Sequence, residues 1–280
     1  MKLQLIILKS IERWRSGYLI AEMSCQLQKM MFKRLPSRRA LAALAKLRGY
    51  RLERRWPFLI RAERKDLNLS YEDVLEFQYA RSRRFLFVSV GAYDGVANDP
   101  SNRFVRSHDC HGILLEPQPA VFARLSANYA EFPQCKLLNA AVDEVSASRT
   151  LHFVPAGVPG LPEWTEQIAS FQLEHVLKHE TQAPGLTAHV QSRDIRTISF
   201  NDLLDMFEVH AIDVLQIDAE GMDAQMLAWF PFERLRPAVL HYEVTHLSSQ
   251  ELTAVRKRLE GFGYQVQEAD APSDDMAVLI

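Results

Sequence analysis

The chain has 280 residues and a formal net charge of −2, and 48% of its residues are hydrophobic. These values suit one large globular domain with an extension, and they exclude a disordered or fibrous protein. Three widely separated cysteines, Cys25, Cys110 and Cys135, predict neither a disulfide framework nor a zinc motif. They indicate a reducing compartment, so we expect a cytoplasmic protein.

The charge is unevenly distributed along the chain. Residues 1–84 carry 20 Lys and Arg against 8 Asp and Glu, whereas residues 85–280 carry 13 against 27. We therefore expect a basic helical extension over residues 1–83 and an α/β domain over residues 84–280. A basic surface suits peripheral contact with the inner face of a membrane, or packing against the acidic domain. The acidity of the second part argues against a nucleic-acid substrate.

Three helices are predicted in the extension. Residues 1–34 place apolar side chains at spacings of three and four, which favours packing within the protein, a homodimer helix or a membrane-surface helix. Arg38 to Arg48 is rich in Ala and Leu, and Ser70 to Asp73 resembles a capping box that opens a helix to about Tyr79.

The second part is expected to be organised around the segment from Phe85 to Gly95. Phe85 to Val90 is apolar and β-branched and predicts a buried strand, and Gly91-Ala92-Tyr93-Asp94-Gly95 then predicts a sharp turn. Ligands of open α/β sheets bind beyond the carboxyl ends of the strands, so this turn is a candidate cofactor loop. The alternative is an ordinary strand-to-helix turn that needs glycine.

The next predicted strand, Gly112 to Pro117, ends in the acid Glu116. Glu116 follows Gly95 by 21 positions. An acid at this distance suits hydrogen bonds to both hydroxyls of a ribose. A solvated strand end is the alternative interpretation.

Strands and helices alternate through the rest of the chain. Cys135 to Val142 predicts a third strand, whose Ala140 and Ala141 leave room for a flat ring. Residues 155–192 are punctuated by Pro and Gly, which predicts a lid or substrate loop, or a partly disordered connection. Further strands are predicted at Thr150–Val154, Val190–Ile198, Ile212–Asp218, Ala238–Glu243, Tyr264–Val266 and Met276–Ile280. The order fits a mostly parallel sheet with an antiparallel hairpin at one edge.

A second group of acids follows the fourth and fifth core strands. Asp218 and Glu243 end neighbouring strands in this interpretation, so their carboxylates converge on the rim of the pocket. Such a pair can accept a proton from a hydroxyl, hold an ammonium group or ligate a hard cation. His241 and His246 flank the same rim, with a core position as the alternative for His241.

Four motifs together resemble the FkbM family of S-adenosylmethionine-dependent methyltransferases. They are Val90–Gly95, Leu115–Pro117, Asn139–Val142 and Ile217-Asp218-Ala219-Glu220-Gly221. The resemblance spans about residues 84–280. It implies a class I methyltransferase fold, a Rossmann-like seven-stranded sheet with helices on both faces. It also implies methyl transfer to a hydroxyl of a sugar, glycan, glycolipid or polyketide-like acceptor.

The resemblance also implies the roles of individual residues. S-adenosylmethionine is expected under the turn formed by Gly91, Ala92, Tyr93, Asp94 and Gly95. Glu116 and Pro117 are expected at its ribose, Asn139 and Ala140 near its adenine, and Asp218 at its methyl end. Tyr93 departs from the small residue or Asn that is commoner in the family.

The expected general base is Asp218, with Glu243 or His241 next. Some O-methyltransferases bind a divalent metal at an acid on this strand end, which Asp218 and Glu243 resemble. A third ligand is not evident, so the sequence favours a reaction without metal.

Two other functions compete with methyl transfer. A nicotinamide-dependent oxidoreductase predicts a complete Gly-x-Gly-x-x-Gly, whereas this turn has only Gly91 and Gly95. Asp94 would also face a pyrophosphate unfavourably. The second alternative is a non-catalytic scaffold whose basic extension binds a partner.

Overall fold

A computed structural model describes residues 70–97, 99–268 and 273–280 of the chain. The predicted helices at residues 1–34 and Arg38 to Arg48 lie outside these residues, as do the membrane and dimer contacts expected of them. Among the described helices, none combines the length and the apolar character needed to cross a membrane.

The described strands form one sheet of seven strands and a smaller one of four. In chain order they are β1 (Leu86–Val90), β2 (His111–Leu115), β3 (Cys135–Leu138), β4 (Ala141–Val142), β5 (Ser148–Phe153), β6 (Ala169–Ser170), β7 (Gln191–Ile198), β8 (Val214–Ile217), β9 (Val239–Glu243), β10 (Tyr264–Glu268) and β11 (Asp274–Leu279). The large sheet has the order β3-β2-β1-β8-β9-β11-β10.

Five neighbouring strands of the large sheet, from β3 to β9, run parallel. Strand β11 is antiparallel to both of its neighbours, β9 and β10. The predicted antiparallel hairpin at one edge is therefore confirmed. A parallel seven-stranded sheet with one reversed strand has the class I methyltransferase topology that the family resemblance implies.

Helices cover both faces of this sheet. The described α-helices are α1 (Tyr71–Arg81), α2 (Asn102–Ser107), α3 (Pro119–Asn128), α4 (Leu173–Leu177), α5 (Phe200–Met206), α6 (Asp223–Trp229) and α7 (Ser249–Gly261), of which α4 packs in a separate cluster. Helices α5, α6 and α7 pack with Val88 and Leu215 on one face, and α1, α2 and α3 pack with Phe87 and Val214 on the other. Successive side chains of a strand point to opposite faces, so the apolar runs of β1 and β8 supply both cores.

Side-chain caps begin three of the helices, and the sequence analysis predicts the one at Ser70. Ser70 with Asp73 and Ser248 with Glu251 form reciprocal capping boxes at α1 and α7. The side chain of Ser199 accepts the backbone N–H of Asp202 and caps α5. These contacts satisfy N–H groups that have no partner inside the helix, and they fix where each helix begins.

Helix α1 lies within the predicted extension, and it packs directly on the sheet. Gln78 Nε2 donates to Asp213 Oδ1 at 2.6 Å, and Ser82 Oγ donates to Asp213 Oδ2 at 3.0 Å. The Tyr71 hydroxyl lies 3.1 Å from the Ser101 hydroxyl. The division of the chain between residues 83 and 84 stays a prediction, but α1 shares its core with the second part.

Residues 155–192 fold into short elements rather than into a structureless loop. They contain α4, β6 and 3-10 helices at Glu163–Gln167, Lys178–Thr181 and Leu186–His189. A separate apolar cluster stabilises them, formed by Val154, Ile168, Val176, Ala183 and Leu186. We call residues 155–190 the insertion; it leads into β7 of the four-stranded sheet.

The single strand predicted from Cys135 to Val142 is wrong in its second half. Strand β3 ends at Leu138, and β4 pairs with β7 in the other sheet. Between them, Asn139 turns aside to donate its side-chain amide to the carbonyl oxygens of Glu116 and Pro117, at 2.8 and 3.1 Å. The break therefore comes from a tertiary contact that the local sequence does not reveal.

Candidate active site

The parallel strands bring the predicted site residues to one edge of the sheet. Val90 pairs with Leu115 on one side and with Ile217 on the other. Leu115 also pairs with Leu138, and Ile217 with Tyr242. The residues that follow these five form a row across the strand ends: Asn139, Glu116, Gly91, Asp218 and Glu243. As the sequence predicts, Asp218 and Glu243 follow neighbouring strands.

Gly91 begins the turn after β1, and no larger residue fits there. Its φ is +75°, and a Cβ atom would lie 1.8 Å from the carbonyl oxygen of Asp218. The N–H groups of Gly91 and Ala92 both donate to the carbonyl oxygen of Leu115, at 3.1 and 2.9 Å. The backbone is therefore fixed between β2 and β8, directly below the cleft.

Asp94 and Gly95 shape the rest of the turn. Asp94 Oδ1 accepts the backbone N–H groups of Val96 and Ala97 at 2.9 and 2.8 Å. A Cβ atom on Gly95 would lie 2.4 Å from the ring of Tyr129. Neither residue lines the cleft, and both instead hold the turn in place.

Glu116 is buried at the end of β2 and is held by backbone donors. Its Oε2 accepts the N–H of Tyr93 at 3.1 Å, and its Oε1 accepts the N–H of Gln118 at 2.7 Å. Only 4% of the residue is exposed, and burial raises the pKa of its carboxyl group to about 8. Each carboxylate oxygen keeps a second lone pair for a further donor.

A cleft of about 930 Å³, including the open space at its mouth, lies above this row. Of the predicted cofactor residues, Gly91, Ala92, Tyr93, Glu116, Pro117, Ala140 and Asp218 line it. Asn139 does not line it and instead positions the loop that carries Glu116. One wall of the cleft is apolar, formed by Ala140, Ala141, Val142, Leu151 and Phe171.

Tyr93 joins the turn to the insertion. Its φ is +48°, and its hydroxyl donates to Glu166 Oε1, which also accepts from Arg124 Nη2 at 2.7 Å. The Arg124 guanidinium lies 5.1 Å from the centre of the Tyr93 ring. Burial and the Glu166 carboxylate raise the pKa of Tyr93 to about 12. Tyr93 therefore fastens the insertion to the turn after β1, beside the cleft.

Asp218 also lines the cleft. Its side chain is accessible from the cleft, while its backbone N–H donates to the carbonyl oxygen of Val90 at 3.0 Å. The surrounding protein, and then the negative charges of Glu220 and Glu243, raise the pKa of Asp218 well above its usual range. A carboxylate with a raised pKa is a stronger base, which suits the acceptance of a proton.

Glu243 and His246 border Asp218. His246 Nε2 lies 3.7 Å from Glu243 Oε1 and 3.5 Å from Glu220 Oε2. Burial raises the pKa of Glu243, and its Oε2 has no hydrogen-bond partner among the described residues. Carboxylate oxygens and an imidazole nitrogen therefore cluster beside Asp218 and Glu220, which line the cleft.

His241 lies below this rim. The residue is 5% exposed, and its ring stacks on Tyr71 with 4.1 Å between the centroids. Its Nε2 is 4.0 Å from Asp274 Oδ2, and burial lowers the pKa of His241 to about 4. This is the core position that the sequence leaves open as an alternative to a catalytic one.

Several residues of the cleft have no local signal in the sequence. Gln118, Gln167 and Phe171 line it through tertiary packing. Asp99 and Gln216 also line it, and Gln216 Nε2 donates to Asp99 Oδ1 at 3.2 Å. Glu220 is the exception, because it stands in the same acidic motif as Asp218, although the sequence assigned it no role.

Known proteins were compared with this chain. A profile of the methyltransferase FkbM domain matches residues 89–266. No curated protein matches the sequence. One similar solved structure is precorrin-6y C5,15-methyltransferase from Geobacter metallireducens GS-15, with 14% identity, a TM-score of 0.37, and coverage of 76% of this chain and 91% of that one.

Two further structures are similar. Methyltransferase FkbM from Methylobacillus flagellatus KT has 12% identity and a TM-score of 0.42 over 73% of this chain and 50% of that one. An O-methyltransferase from Bacillus cereus in complex with SAH has 11% identity and a TM-score of 0.37 over 90% and 96%. The present chain thus spans half of the M. flagellatus protein. Because the profile covers more than half of the sequence, the chain belongs to the FkbM family of S-adenosylmethionine-dependent methyltransferases.

Proposed function

We propose that the protein transfers a methyl group from S-adenosylmethionine to a hydroxyl of a sugar, glycan, glycolipid or polyketide-like acceptor. One observation carries the proposal: Glu116 and Asp218 flank Gly91 at three adjacent strand ends. The carboxylate of Glu116 suits hydrogen bonds to the ribose of the cofactor, and that of Asp218 suits the acceptance of a proton from the acceptor hydroxyl. Both carboxylates line one cleft.

The residues of the cleft fit the cofactor. Glu116 offers carboxylate oxygens to two ribose hydroxyls, and the turn from Gly91 brings the backbone close to the ligand. The apolar wall, which includes Ala140 and Phe171, suits the purine ring. When bound, S-adenosylmethionine supplies a methyl group that its sulfonium makes electrophilic.

The protein contributes alignment, exclusion of water and removal of a proton. The insertion borders the cleft through Gln167 to Phe171, and Tyr93 and Glu166 fasten it to the turn. Asp218 accepts the proton of the acceptor hydroxyl, because its carboxylate opens into the cleft at the end of β8. Glu243, which follows the neighbouring strand, is the next candidate for this role.

The acidic rim supports a hydroxylated acceptor. Asp218, Glu220 and Glu243 interact electrostatically in one place, and carboxylates are strong acceptors for hydroxyl protons. Phosphate-rich polymers would be repelled by the same charges. The proposal also includes contact of the basic N-terminal residues with a membrane. It includes dimer formation as well, and both are compatible with this acceptor class.

Methyl transfer to hydroxyls can be tested with isotope-labelled S-adenosylmethionine and a panel of sugars, glycolipids and polyketide alcohols. The expected product is an ether that survives mild alkali, whereas a methyl ester would be hydrolysed. Asp218→Asn should lose transfer while still binding the cofactor. Cofactor binding without transfer to any hydroxyl would favour the non-catalytic scaffold instead.

A further inference from the structure

A separate group of ligand-type side chains lies beside the cleft, which one of them, Glu220, lines. His175, Glu220 and His246 each contribute one ligand atom, and these atoms all lie within 4.8 Å of one another. The three residues come from α4 in the insertion, the turn after β8 and the loop after β9, so the fold brings them together from distant parts of the sequence.

The residue types suit a transition metal. Two imidazoles and one carboxylate form a ligand set of catalytic Zn²⁺ sites, in which a fourth position takes water or substrate. Imidazole nitrogen suits Zn²⁺, whereas Mg²⁺ prefers oxygen ligands. Ligand atoms at about 2.0–2.1 Å from a tetrahedral ion lie roughly 3.3–3.5 Å apart. The 3.5 Å between His246 Nε2 and Glu220 Oε2 already has this value.

The packing leaves a ligand atom of His175 unused. Its Nε2 is buried and has no hydrogen-bond partner among the described residues. Its Nδ1 lies 3.2 Å from the Nζ of Lys178, whose side chain is exposed. Metal binding through Nε2 would place the ring proton on Nδ1 and displace Lys178, which costs little on the surface.

Gly221 provides the space that this cluster needs. A Cβ atom at this position would lie 2.7 Å from Cε1 of His175 and 3.4 Å from Cβ of His246. The glycine of the acidic motif therefore lets both imidazoles approach the Glu220 backbone. His179 stands behind them, with its ring centroid 5.9 Å from that of His175.

We propose that His175, Glu220 and His246 bind a divalent transition metal of the Zn²⁺ class. We further propose that its open coordination position takes a hydroxyl oxygen of the acceptor, a role that rests on the proposed function. A metal-bound hydroxyl loses its proton more readily than a free one, and the carboxylates of the rim can accept that proton. The ligand set differs from the pair Asp218 and Glu243 that the sequence suggests for a metal.

Metal binding can be measured without methyl transfer. The full-length protein is stripped with EDTA and titrated with Co²⁺, whose visible absorption reports a tetrahedral site, and Zn²⁺ and Mg²⁺ are then added as competitors. We expect one Co²⁺ per chain, displacement by Zn²⁺ and no displacement by Mg²⁺. His175→Ala, Glu220→Ala and His246→Ala should each weaken binding by about 100-fold or more, since changes to residues that only support ligands cost roughly 10–100-fold.

Matched controls are the exposed histidines His189 and His210. Substitution of either by Ala should leave the Co²⁺ spectrum and affinity unchanged, and cofactor affinity reports whether each variant is folded. Absence of a tetrahedral Co²⁺ spectrum, or binding that survives all three cluster substitutions, would overturn the metal site even if methyl transfer occurs.

The role of the metal is separable from the site itself. Equal methyl transfer by metal-stripped and Zn²⁺-loaded protein would overturn the role in acceptor binding. A tetrahedral Co²⁺ site in a protein that methylates no hydroxyl would support the metal site and count against the proposed function.

Discussion

The backbone N–H of Tyr93 donates to Oε2 of Glu116 at 3.1 Å. This bond joins the turn after β1 directly to the acid after β2, so the two most informative motifs of the sequence act as one unit. The same carboxylate accepts the N–H of Gln118 from the start of α3. Any change at Glu116 should therefore alter the loop geometry as well as the proposed ribose contact.

Glu116→Ala should weaken the binding of S-adenosylmethionine. Hydrogen bonds to a charged group contribute about 1.5–3 kcal/mol, which corresponds to a loss of roughly 10- to 100-fold in affinity. Isothermal titration calorimetry measures the change, and Glu131→Ala, at an exposed residue, is the control. Unchanged affinity in the Glu116 variant would place the ribose elsewhere.

Cofactor binding should release a proton near pH 7. Burial raises the pKa of Glu116 to about 8, so the free protein holds this carboxyl group largely protonated at pH 7. Ribose hydroxyls donate to the ionised form and lower its pKa, so the proton leaves on binding. Calorimetry in buffers of different ionisation enthalpy detects the release, which should disappear well above pH 8 and in Glu116→Gln.

The raised pKa of Glu116 also determines the direction in which the stability of the protein should change with pH. The carboxyl group titrates near its usual value of 4.5 in the unfolded chain and near 8 in the folded one. Its contribution to stability is therefore complete below about pH 4.5 and is lost as the pH rises through 8. Urea unfolding of the cofactor-free protein measures this change. Between about pH 4.5 and 8, the free energy of unfolding of the wild type should fall relative to that of Glu116→Gln. A difference between the two proteins that does not change with pH would contradict the prediction.

Gly91→Ala should destabilise the protein strongly. The new Cβ atom would meet the carbonyl oxygen of Asp218 at 1.8 Å, and φ is +75°. We expect a loss of about 3 kcal/mol or more in the free energy of unfolding. Gly157→Ala is a matched control, because its φ is +70° and nothing lies within 4 Å of a Cβ atom there. It should cost only about 1–2 kcal/mol, and equal losses would rule out the close contact as the cause.

Tyr93→Phe should loosen the insertion while retaining the ring. The substitution removes the hydroxyl that donates to Glu166 and leaves the contact between the ring and Arg124. Backbone amides within residues 157–167 should exchange with solvent about 10-fold faster, as expected for one lost hydrogen bond to a charged group. Hydrogen exchange followed by mass spectrometry measures this, and amides of β1 serve as the internal reference. Unchanged exchange would show that other contacts hold the segment.

Asp218→Asn should reduce the rate of methyl transfer more than it reduces cofactor affinity. Loss of a general base costs about 10²- to 10⁴-fold in rate. The variant keeps the backbone N–H that donates to Val90, so the strand end should stay in place. Single-turnover kinetics with labelled cofactor separate the two effects. If Glu243→Gln causes the larger loss in rate, the base is Glu243.

The strand ends of the large sheet were predictable because they depend on local patterns. Apolar runs followed by Gly91, Glu116 and Asp218 mark three parallel strands, and one topological rule places their ends together. The capping serines at 70, 199 and 248 were predictable for the same reason, because a cap is a contact within four residues.

The rest of the site depends on contacts between distant segments. Asn139 was predicted near the adenine, yet its amide is committed to the carbonyl oxygens of Glu116 and Pro117. His175 lies in a segment without periodicity, so no local pattern indicated that it would face Glu220. Tyr93 departs from the residue that is commoner in the family. Its hydrogen bond to Glu166, 73 residues away in the sequence, explains why a tyrosine stands there.

The separate apolar cluster of the insertion has a consequence for how acceptor preference could change through evolution. Because Val154, Ile168, Val176, Ala183 and Leu186 pack mainly with one another, this segment can diverge without disturbing the sheet. Related enzymes could exchange the insertion as a unit, provided that the new segment carries an acidic residue that binds Tyr93 and Arg124. The proposed acceptor preference could then change through replacement of the insertion, while the seven-stranded sheet and its proposed cofactor site stay unchanged.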